Sequence, residues 1–318
     1  MITKEQILTF LQLKGISNAR AFSLCEKARK ENIELDSISD MVDYIKKCIQ
    51  DKVIKGLSQE AKDAINVSCL IKAGNKTTEI IENSFEAGIN IVSFYDSQFP
   101  MQLKKITDEK GKSANPILLY YKGNFNAIPN YGIAIIGTRE PTPEGITAGE
   151  FFAEKFAREG FNIISGLALG CDTSAHKGAL KGNGFTTAFL AHGLDVVYPN
   201  ENEKLAQSII EKGGLLISEY PIGTQPIANY FIARDRLQSG MANATIVIQT
   251  GITGGTMHAV TSTIEAKKPL YAVTYKGDVN TAEKVQGNVK LISEQKASPL
   301  SSSNIAVILD EIRKGLNA

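Results

Sequence analysis

The chain has 318 residues, of which 43% are hydrophobic and 22% are charged. This composition is typical of a folded globular protein, and the length suits one large α/β domain with a smaller one, or two ordinary domains. The formal net charge of +1 excludes a globally basic protein, so any site for a polyanion must come from local clustering of cations.

The chain carries no signal for export or membrane insertion. Its first residues, MITKEQILTF, lack the apolar core of a signal peptide, and no apolar run reaches the roughly 18 to 20 residues that a membrane span needs. The four cysteines, Cys25, Cys48, Cys69 and Cys171, form no CxxC pair and have no histidine at metal-ligand spacing. We therefore predict a cytoplasmic protein with no metal, no cofactor and no membrane contact.

Residues 1–78 predict a small all-helical domain. Apolar residues recur at helical spacing in EQILTFLQLKG, and no β-branched run interrupts the pattern. The stretch LQLKGISNARAFSLCEKAR loosely matches a helix-hairpin-helix of the kind also found in SAM-like domains, whose backbone N–H groups face phosphates. Ser17 stands where the second hairpin glycine belongs, so two simply packed helices are the alternative interpretation.

Residues 79–318 predict an α/β domain. Strands are expected in INIVSFYD, in PILLYYKGNF and in YGIAIIGT, and further strands end at Ser165, Leu190, Ser218 and Thr250. Helical stretches separate the later strands, PLYAVTY adds another strand, and SSSNIAVILDEIRKGL predicts a capped amphipathic helix. This alternation indicates a mostly parallel sheet with helices on both faces.

Three glycine-containing loops should lie together, because ligands of open parallel sheets bind outside the carboxyl ends of the strands. The first is IIGTREPTPEG, in which Gly137 and Thr138 end a strand and Arg139 precedes a helix that begins with Thr142 and Pro143. A helix N-terminus favours anions, so Arg139 is a candidate phosphate ligand. The alternative is an exposed arginine in a turn.

The second loop lies in NIISGLALGCDTSAHKGAL, residues 162–180. Ser165, Gly166 and Gly170 form a glycine-spaced turn, and Asp172 is placed to cap a helix that begins at Thr173. His176 falls in the first helical turn, where its ring is expected to face the ligand edge. Capping by Asp172 and core packing by His176 are the structural alternatives.

The third loop, IQTGITGGTMHAV, offers backbone donors at Gly254, Gly255 and Thr256 before another helix, as in a phosphate-binding nest. A permissive turn is the alternative. Between the second and third loops, YFIARDRLQSGM places Arg234 and Arg236 two residues apart on a helix, so they point in different directions. One is expected to hold a phosphate while the other pairs with an acidic residue, Asp235 or Glu219.

Several kinds of chemistry are not indicated. Thr138 and Arg139 follow Gly137, so the first loop is not G-x-G-x-x-G, and no G-x-x-x-x-G-K-[ST] motif is present. Paired carboxylates, a metal-ligand cluster and a nucleophile elbow are also missing from the sequence. The pattern therefore favours binding over catalysis, and we predict no catalytic residues.

The motifs resemble those of the DprA/Smf family, bacterial proteins of natural transformation and DNA recombination. The matching segments follow one another in family order over about 230 residues: GINIVSFYDSQFPMQL, PILLYYKGN, IAIIGTREPTPEG, IISGLALGCDTSAHKGAL, HGLDVVYPNEN, GGLLISEYPIG, FIARDRLQSGMA and QGNVKLISEQKASPL. The resemblance implies a Rossmann-like domain that binds single-stranded DNA, passes it to the RecA recombinase, forms a homodimer and catalyses no reaction.

The resemblance, taken with the loops, predicts a set of DNA- or phosphate-binding residues: Gly137, Thr138, Arg139, Ser165, Gly166, Gly170, Asp172, His176, Lys177, Arg234, Arg236, Gly254, Gly255 and Thr256. Single-strand binding needs a basic groove with aromatic platforms. Lys181 would join the arginines and Lys177 in the groove, and Tyr198, Tyr230 and Phe231 are the candidate platforms, with core packing as the alternative for Phe231.

The chain departs from the family pattern at several positions. The usual R-N-R is RDR here, which puts Asp235 between two arginines, and the usual S-G-S-L is GGTM followed by His258. Asn200, Glu201 and Glu203 follow Tyr198-Pro199, where many members carry a lysine. The C-terminal winged helix of many members is expected to be absent.

These departures leave two alternative functions open. Acidic residues around the groove would suit a sensor of a small nucleotide. The GGT of the third loop superficially resembles nucleotide phosphoribohydrolases of the same superfamily, but those enzymes place a glutamate where His258 stands.

Overall fold

The computed structural model describes residues 2–107 and 111–316, and the chain forms two compact units. The first unit extends to Phe99 and also contains Pro116–Leu119, and the second contains Pro100–Asn115 and the chain from Tyr120 onward. Each unit is built around its own set of buried apolar side chains.

Up to Phe99, the described part of the first unit consists of five helices followed by one strand. Its described elements are α1 (Lys4–Leu11), α2 (Asn18–Lys30), α3 (Ile38–Gln50), α4 (Gln59–Asp63), α5 (Val67–Glu86) and the strand β1 (Asn90–Ser93). Polar side chains begin the helices, as where Thr3 accepts a hydrogen bond from the backbone N–H of Gln6 and Gln6 returns one to Thr3. The predicted helical character of this region is therefore correct.

The predicted domain boundary between residues 78 and 79 is not where the chain changes unit, because it falls inside α5. Near this boundary, the polar residues Asn75, Lys76, Thr78 and Glu79 lie on the exposed face of the helix. Thr77 on the other face is buried and accepts a hydrogen bond from Thr9 Oγ1 at 3.1 Å. This tertiary contact holds α5 as one helix through the polar stretch.

The second unit alternates strands and helices. Its described elements are β2 (Leu118–Gly123, whose first two residues belong to the first unit), β3 (Gly132–Ile136), α6 (Pro143–Arg158), β4 (Asn162–Ser165), α7 (Cys171–Lys181), β5 (Thr186–Leu190), α8 (Glu203–Glu211), β6 (Leu215–Ser218), α9 (Ala228–Met241), β7 (Ala244–Val247), α10 (Thr256–Glu265), β8 (Leu270–Val273), α11 (Gln286–Ser293), β9 (Ser298–Leu300) and α12 (Ile305–Leu316). Short 3₁₀ turns lie at Met101–Lys105, Phe125–Ala127, Asn200–Asn202, Gly277–Thr281 and Glu283–Val285.

The strands form one sheet in the order β1-β2-β6-β5-β4-β3-β7-β8-β9. From β6 to β9 neighbouring strands are parallel, with Ile133 opposite both Ile163 of β4 and Ala244 of β7, whereas β2 runs antiparallel to β6. The chain leaves β3 toward β4 and later returns to its other side as β7. The order therefore reverses at β3, which is the ligand-binding position of doubly wound folds.

Both faces of the central sheet are covered, so the strands β3 to β8 are buried at every residue. Ile133 and Ile135 of β3 pack with Phe152 and Phe156 of α6 on one face. Ile136 turns to the other face, where it joins residues of α10 and α11. This confirms the predicted mostly parallel α/β sheet. The sequence had not suggested β9, a three-residue strand that contains Pro299 at the edge of the sheet.

Within residues 2–107 and 111–316, no helix has both the length and the apolar character that crossing a bilayer requires.

His176 lies in the core of the second unit and does not face the ligand edge as predicted. Its side chain is fully buried, and its Nδ1 lies 2.8 Å from Thr186 Oγ1. The Thr186 hydroxyl donates its one proton to Ile163 O at 2.6 Å, so Nδ1 must be the donor to Thr186. Nε2 has no hydrogen-bond partner in the described part of the chain, and burial, with the charge of Arg234, lowers the pKa of His176 to about 3.

Acidification should therefore destabilise the protein through His176. The pKa in the folded state lies below the roughly 6.5 of an exposed histidine, so the unfolded chain takes up the proton first. The stability that the neutral His176 contributes is fully present above about pH 6.5 and is lost as the pH falls toward 3. Near pH 4.5 the free energy of unfolding should have decreased by roughly 2–3 kcal/mol through this group. Urea unfolding across this pH range measures it.

The variant His176→Asn keeps an amide donor near the position of Nδ1 and removes the titration. Its free energy of unfolding should fall less steeply with acid than that of the unmodified protein, whatever its absolute stability. His192, whose pKa burial also lowers, is present in both proteins and supplies the common background. Equal slopes for the two proteins would contradict the assignment.

Candidate nucleic-acid interface

The loops after β3, β4 and β7 meet at one edge of the sheet and enclose a cavity of about 480 Å³, which we call the main cavity. It is lined by residues from all three loops and from α9 and α10: Ile136, Gly137, Thr138, Arg139, Glu140, Ala168, Asp172, Phe231, Ile232, Arg234, Asp235, Gln238, Thr250, Gly251, Thr253, Gly254, Gly255, Thr256, His258 and Ala259. The structure thus brings together eight of the fourteen residues that the sequence predicted to bind DNA or phosphate.

Backbone hydrogen bonds join the three loops. The N–H of Thr138 in the first loop donates to Gln249 O at the end of β7 (2.7 Å), and Thr138 O accepts from the N–H of Cys171 at the start of α7 (3.1 Å). The side chain of Gln249 is buried and bonds Thr142, accepting from its N–H (2.8 Å) and donating to its hydroxyl (3.0 Å). These bonds fix the first loop against both of its neighbours.

Asp172 organises the second loop. Helix α7 begins at Cys171 after Gly170, so Asp172 is already inside the helix and does not cap it as predicted. Its buried carboxylate accepts hydrogen bonds from the backbone N–H groups of Gly166 (3.1 Å) and Ala168 (3.3 Å). Burial raises the pKa of Asp172, and the positive charge of Arg234 opposes this effect.

The third loop presents backbone donors. Gly254 has a φ of 131°, and no side chain caps the N-terminus of α10. The N–H groups of Met257 and His258 donate to Gly254 O and Gly255 O, so within the described residues the backbone donors left at the main cavity are those of Gly254, Gly255 and Thr256. Asn288 of α11 supports the loop by accepting from the N–H of Thr250 (2.9 Å) and donating to Ile248 O (2.8 Å). The arrangement is that of an anion site at a helix N-terminus.

Arg234 supplies a fixed charge at the floor of the main cavity. The residue is only 5% exposed, and its Nη1 donates to Phe189 O at 2.8 Å. With its amide oxygen toward the guanidinium, Gln238 accepts from Arg234 Nη1 and from the N–H of Gly166 at 3.1 Å. A Cβ at Gly166 would overlap the guanidinium, so this glycine makes room for the arginine.

Arg139 supplies an exposed charge at the rim. Its guanidinium lies 5.3 Å from the ring centre of Phe231 and forms no ion pair with a carboxylate of the described residues. Tyr198 is a second aromatic neighbour of Phe231, with 5.9 Å between the two ring centres. Phe231 is half-buried and lines the main cavity, so it is not a core residue.

A second, smaller opening adjoins the main cavity. This side cleft of about 70 Å³ is lined by Arg139, Gly166, Ala168, Leu169, Tyr198, Pro199 and Phe231. Arg139 and Phe231 line both openings, so a cation and an aromatic ring stand between a polar cavity and an apolar cleft.

Some predicted site residues lie elsewhere. Arg236 is held by Glu219, with two hydrogen bonds of 2.7 Å, and by Ala114 O, and it does not line the main cavity. Arg234 is also ion-paired, with Asp235, but it does line the cavity. The hydroxyl of Ser165 is buried and donates to Ile135 O. Tyr230 stacks on Tyr220 with ring centres 4.0 Å apart.

The lysines form a separate surface. Lys177 and Lys181 face outward with Lys204 and Lys212 along an open depression of about 460 Å³, the lysine groove. Lys181 also pairs with Glu154 at 2.9 Å. Lys177 was predicted as a phosphate ligand because it closely follows the second loop in the sequence. On α7 its side chain instead faces the lysine groove and does not line the main cavity.

The charges that line the main cavity nearly balance. Arg139 and Arg234 are opposed by the carboxyl groups of Glu140, Asp172 and Asp235, and Glu140 itself pairs with Lys284 at 3.3 Å. Burial raises the pKa of Asp235 to about 6, although the charge of Arg234 beside it acts in the opposite direction. The sequence indicated Asp235 as a possible ion-pair partner of an arginine and as a departure from the family pattern, and it gave no indication of a role for Gln238 or Gln249.

A sequence model of a family described as DNA recombination-mediator protein A matches residues 90–312, well over half of the chain. Protein Smf of Escherichia coli strain K12 is 34% identical over 179 residues, which are 56% of this chain and 46% of that protein. The chain therefore spans about half the length of that relative.

Two solved structures are similar to the chain over most of its length. The X-ray structure of DNA processing protein A from Streptococcus pneumoniae is 26% identical with a TM-score of 0.76, covering 96% of this chain and 98% of that one. A structure of DNA processing protein A from Helicobacter pylori, described as giving insight into a single-stranded DNA binding mode, is 27% identical with a TM-score of 0.60, covering 73% and 98%.

Replacing Gly166 with alanine should displace Arg234 from the cavity floor. The new Cβ would overlap the guanidinium, and overpacking of this kind costs about 1–3 kcal/mol of folding stability. Gly255→Ala is the matched control, because Gly255 has helical backbone angles and nothing within 4 Å of an added Cβ. Urea unfolding should show the loss for Gly166→Ala and a change within about 0.5 kcal/mol for Gly255→Ala; equal effects would refute the packing described.

Proposed function

This chain belongs to the DNA recombination-mediator protein A family, and we propose that it binds single-stranded DNA at the main cavity and the side cleft. Binding, without chemical conversion of the DNA, is the proposed activity. The observation that carries the proposal is the adjacency of an anion site and an aromatic platform at one edge of the sheet.

The main cavity suits a phosphate of the DNA backbone. The backbone N–H groups of Gly254, Gly255 and Thr256 at the start of α10 are the donors, and Arg139 and Arg234 contribute positive charge to the same cavity. Because Arg234 is held by Phe189 O and Asp235, it acts as a fixed charge, whereas the exposed Arg139 is free to clamp the ligand.

The side cleft suits a base. Phe231 and Tyr198 present aromatic faces beside the apolar Leu169, which is 40% exposed, and Tyr198 is 45% exposed. Every base has a π-face, so stacking on such a platform tolerates any sequence. A phosphate in the main cavity and a base in the side cleft would place Arg139 between them.

We also propose that the chain passes DNA to RecA and works as a homodimer. These two statements rest on the resemblance to the family alone, and the proposed DNA contacts do not depend on either of them.

The size of the main cavity also favours a second candidate, a sensor of a small nucleotide. About 480 Å³ lies within the usual range of small-molecule sites, and the nearly balanced charge is less suited to a long polyanion than a uniformly basic groove.

Replacing Arg139 with alanine should weaken binding of a fluorescent oligothymidylate by about tenfold, since one charge-assisted phosphate contact and the support of Phe231 are lost. Fluorescence anisotropy measures the affinity. Arg158→Ala is the matched control, because Arg158 is an exposed arginine of α6 that pairs with Glu154 and does not line the cavity. Unchanged affinity for Arg139→Ala would exclude this site, and stronger competition by mononucleotides than by unlabelled oligonucleotide would favour the sensor.

The salt dependence of binding should report how far the DNA extends. Two neutralising arginines at the main cavity give a slope of log K against log[salt] on the order of −1. Contact with the lysine groove would steepen it toward about −3 to −4, and Lys177→Ala would then reduce it by about 0.7. A shallow slope that Lys177→Ala leaves unchanged is the expected result.

A further inference from the structure

Asp235 is placed to contact whatever enters the main cavity. It lies one helical turn after Phe231 on α9, so the two side chains share a face of the helix, and both line the cavity. The Asp235 side chain is only 15% exposed, and its Oδ1 lies 3.2 Å from Arg234 Nε. Its Oδ2 accepts no hydrogen bond from the described residues, so the cavity lining contains a largely buried acceptor without a donor.

A carboxylate with a free oxygen requires a particular partner. It only accepts hydrogen bonds, and its two oxygens side by side match two adjacent donors. Guanine alone among the DNA bases has two adjacent donors on its Watson–Crick edge, N1–H and the N2 amino group. Cytosine and adenine place a ring acceptor beside the amino group, and thymine flanks its one N–H with two carbonyl oxygens.

We propose that Asp235 makes the main cavity selective for guanine: beside the bound phosphate the cavity also takes a guanine base, whose N1–H and N2–H donate to the Asp235 carboxylate, while a neighbouring base lies in the side cleft. This inference rests on the proposed binding of single-stranded DNA and adds a base preference to it. The exposed guanidinium of Arg139 lines the same cavity and supplies a donor for the guanine O6. Phe231 supplies an aromatic surface beside the same space.

The arrangement also explains how an acidic side chain is compatible with a DNA site. A carboxylate repels phosphates, but when it is paired with guanine two N–H donors hydrogen-bond its oxygens and offset its negative charge. The charged and titratable groups that face it are Arg234 on α9, Asp172 on α7, His258 on α10 and Arg139 on the first loop. Burial raises the pKa of Asp235 to about 6, so the carboxylate is ionised at pH 7.5 and becomes a poorer acceptor as the pH falls below 6.

The test compares oligonucleotides of alternating deoxyguanosine and thymidine with the same oligonucleotides carrying deoxyinosine in place of deoxyguanosine. Inosine lacks only the N2 amino group, so the comparison removes one hydrogen bond and preserves stacking and phosphate charge. Anisotropy titrations at pH 7.5 with the full chain should show the guanine strand binding at least about tenfold more tightly, the value expected for one hydrogen bond to a charged acceptor. Below pH 6 the difference should shrink.

The variant Asp235→Asn keeps the size of the side chain and removes its charge. It should bind the guanine and inosine strands within about twofold of each other, and it should bind oligothymidylate more tightly than the unmodified chain because a repulsive charge is gone. Equal binding of both strands by the unmodified chain, or a guanine preference that survives in Asp235→Asn, would overturn the inference. If all strands bind equally and binding still depends on Arg139, the proposed function stands and only the base preference fails.

Discussion

The site depends on one constraint, the backbone bond from the N–H of Thr138 to Gln249 O. It joins the end of β3 to the end of β7 across the point where the strand order reverses. Parallel strands bring their carboxyl ends to one edge of the sheet, but the loops that follow are free to diverge unless something holds them. Two further contacts complete the framework around the open cavity. The Gln249 side chain accepts a hydrogen bond from the N–H of Thr142 at the start of α6, and the N–H of Cys171 donates to Thr138 O.

The charged side chains around the cavity differ in how firmly they are held. Arg234 and Asp172 are buried and fixed by backbone partners, so they set the potential of the cavity without moving. Arg139 is exposed and is held only by contact with an aromatic ring. Asp235 lies between these cases, with one oxygen paired and the other facing the ligand space. Fixed groups shape the site and mobile groups respond to what enters it.

The sequence predicted the sheet and the meeting of the loops because both follow from periodicity and from the rule for parallel strands. It could not predict which helix face each side chain would occupy. His176 and Lys177 are neighbours on α7, yet one is in the core and the other is on an outer groove. For the arginines of α9, the sequence indicated two roles without assigning them, and Glu219 decides the assignment by pairing with Arg236. Gln238 and Gln249 gave no signal, because a buried amide is recognised only once its partners are known.

The wall shared by the two openings has a thermodynamic consequence. Arg139 and Phe231 border both the main cavity and the side cleft. A ligand that draws the guanidinium toward one opening alters the ring face offered to the other, so occupancy of either must change the affinity of its neighbour. Linkage requires this coupling to be the same in both directions. A DNA strand that occupies both openings would therefore bind them cooperatively. A fragment that fills one opening would change the affinity of the other opening for a second fragment.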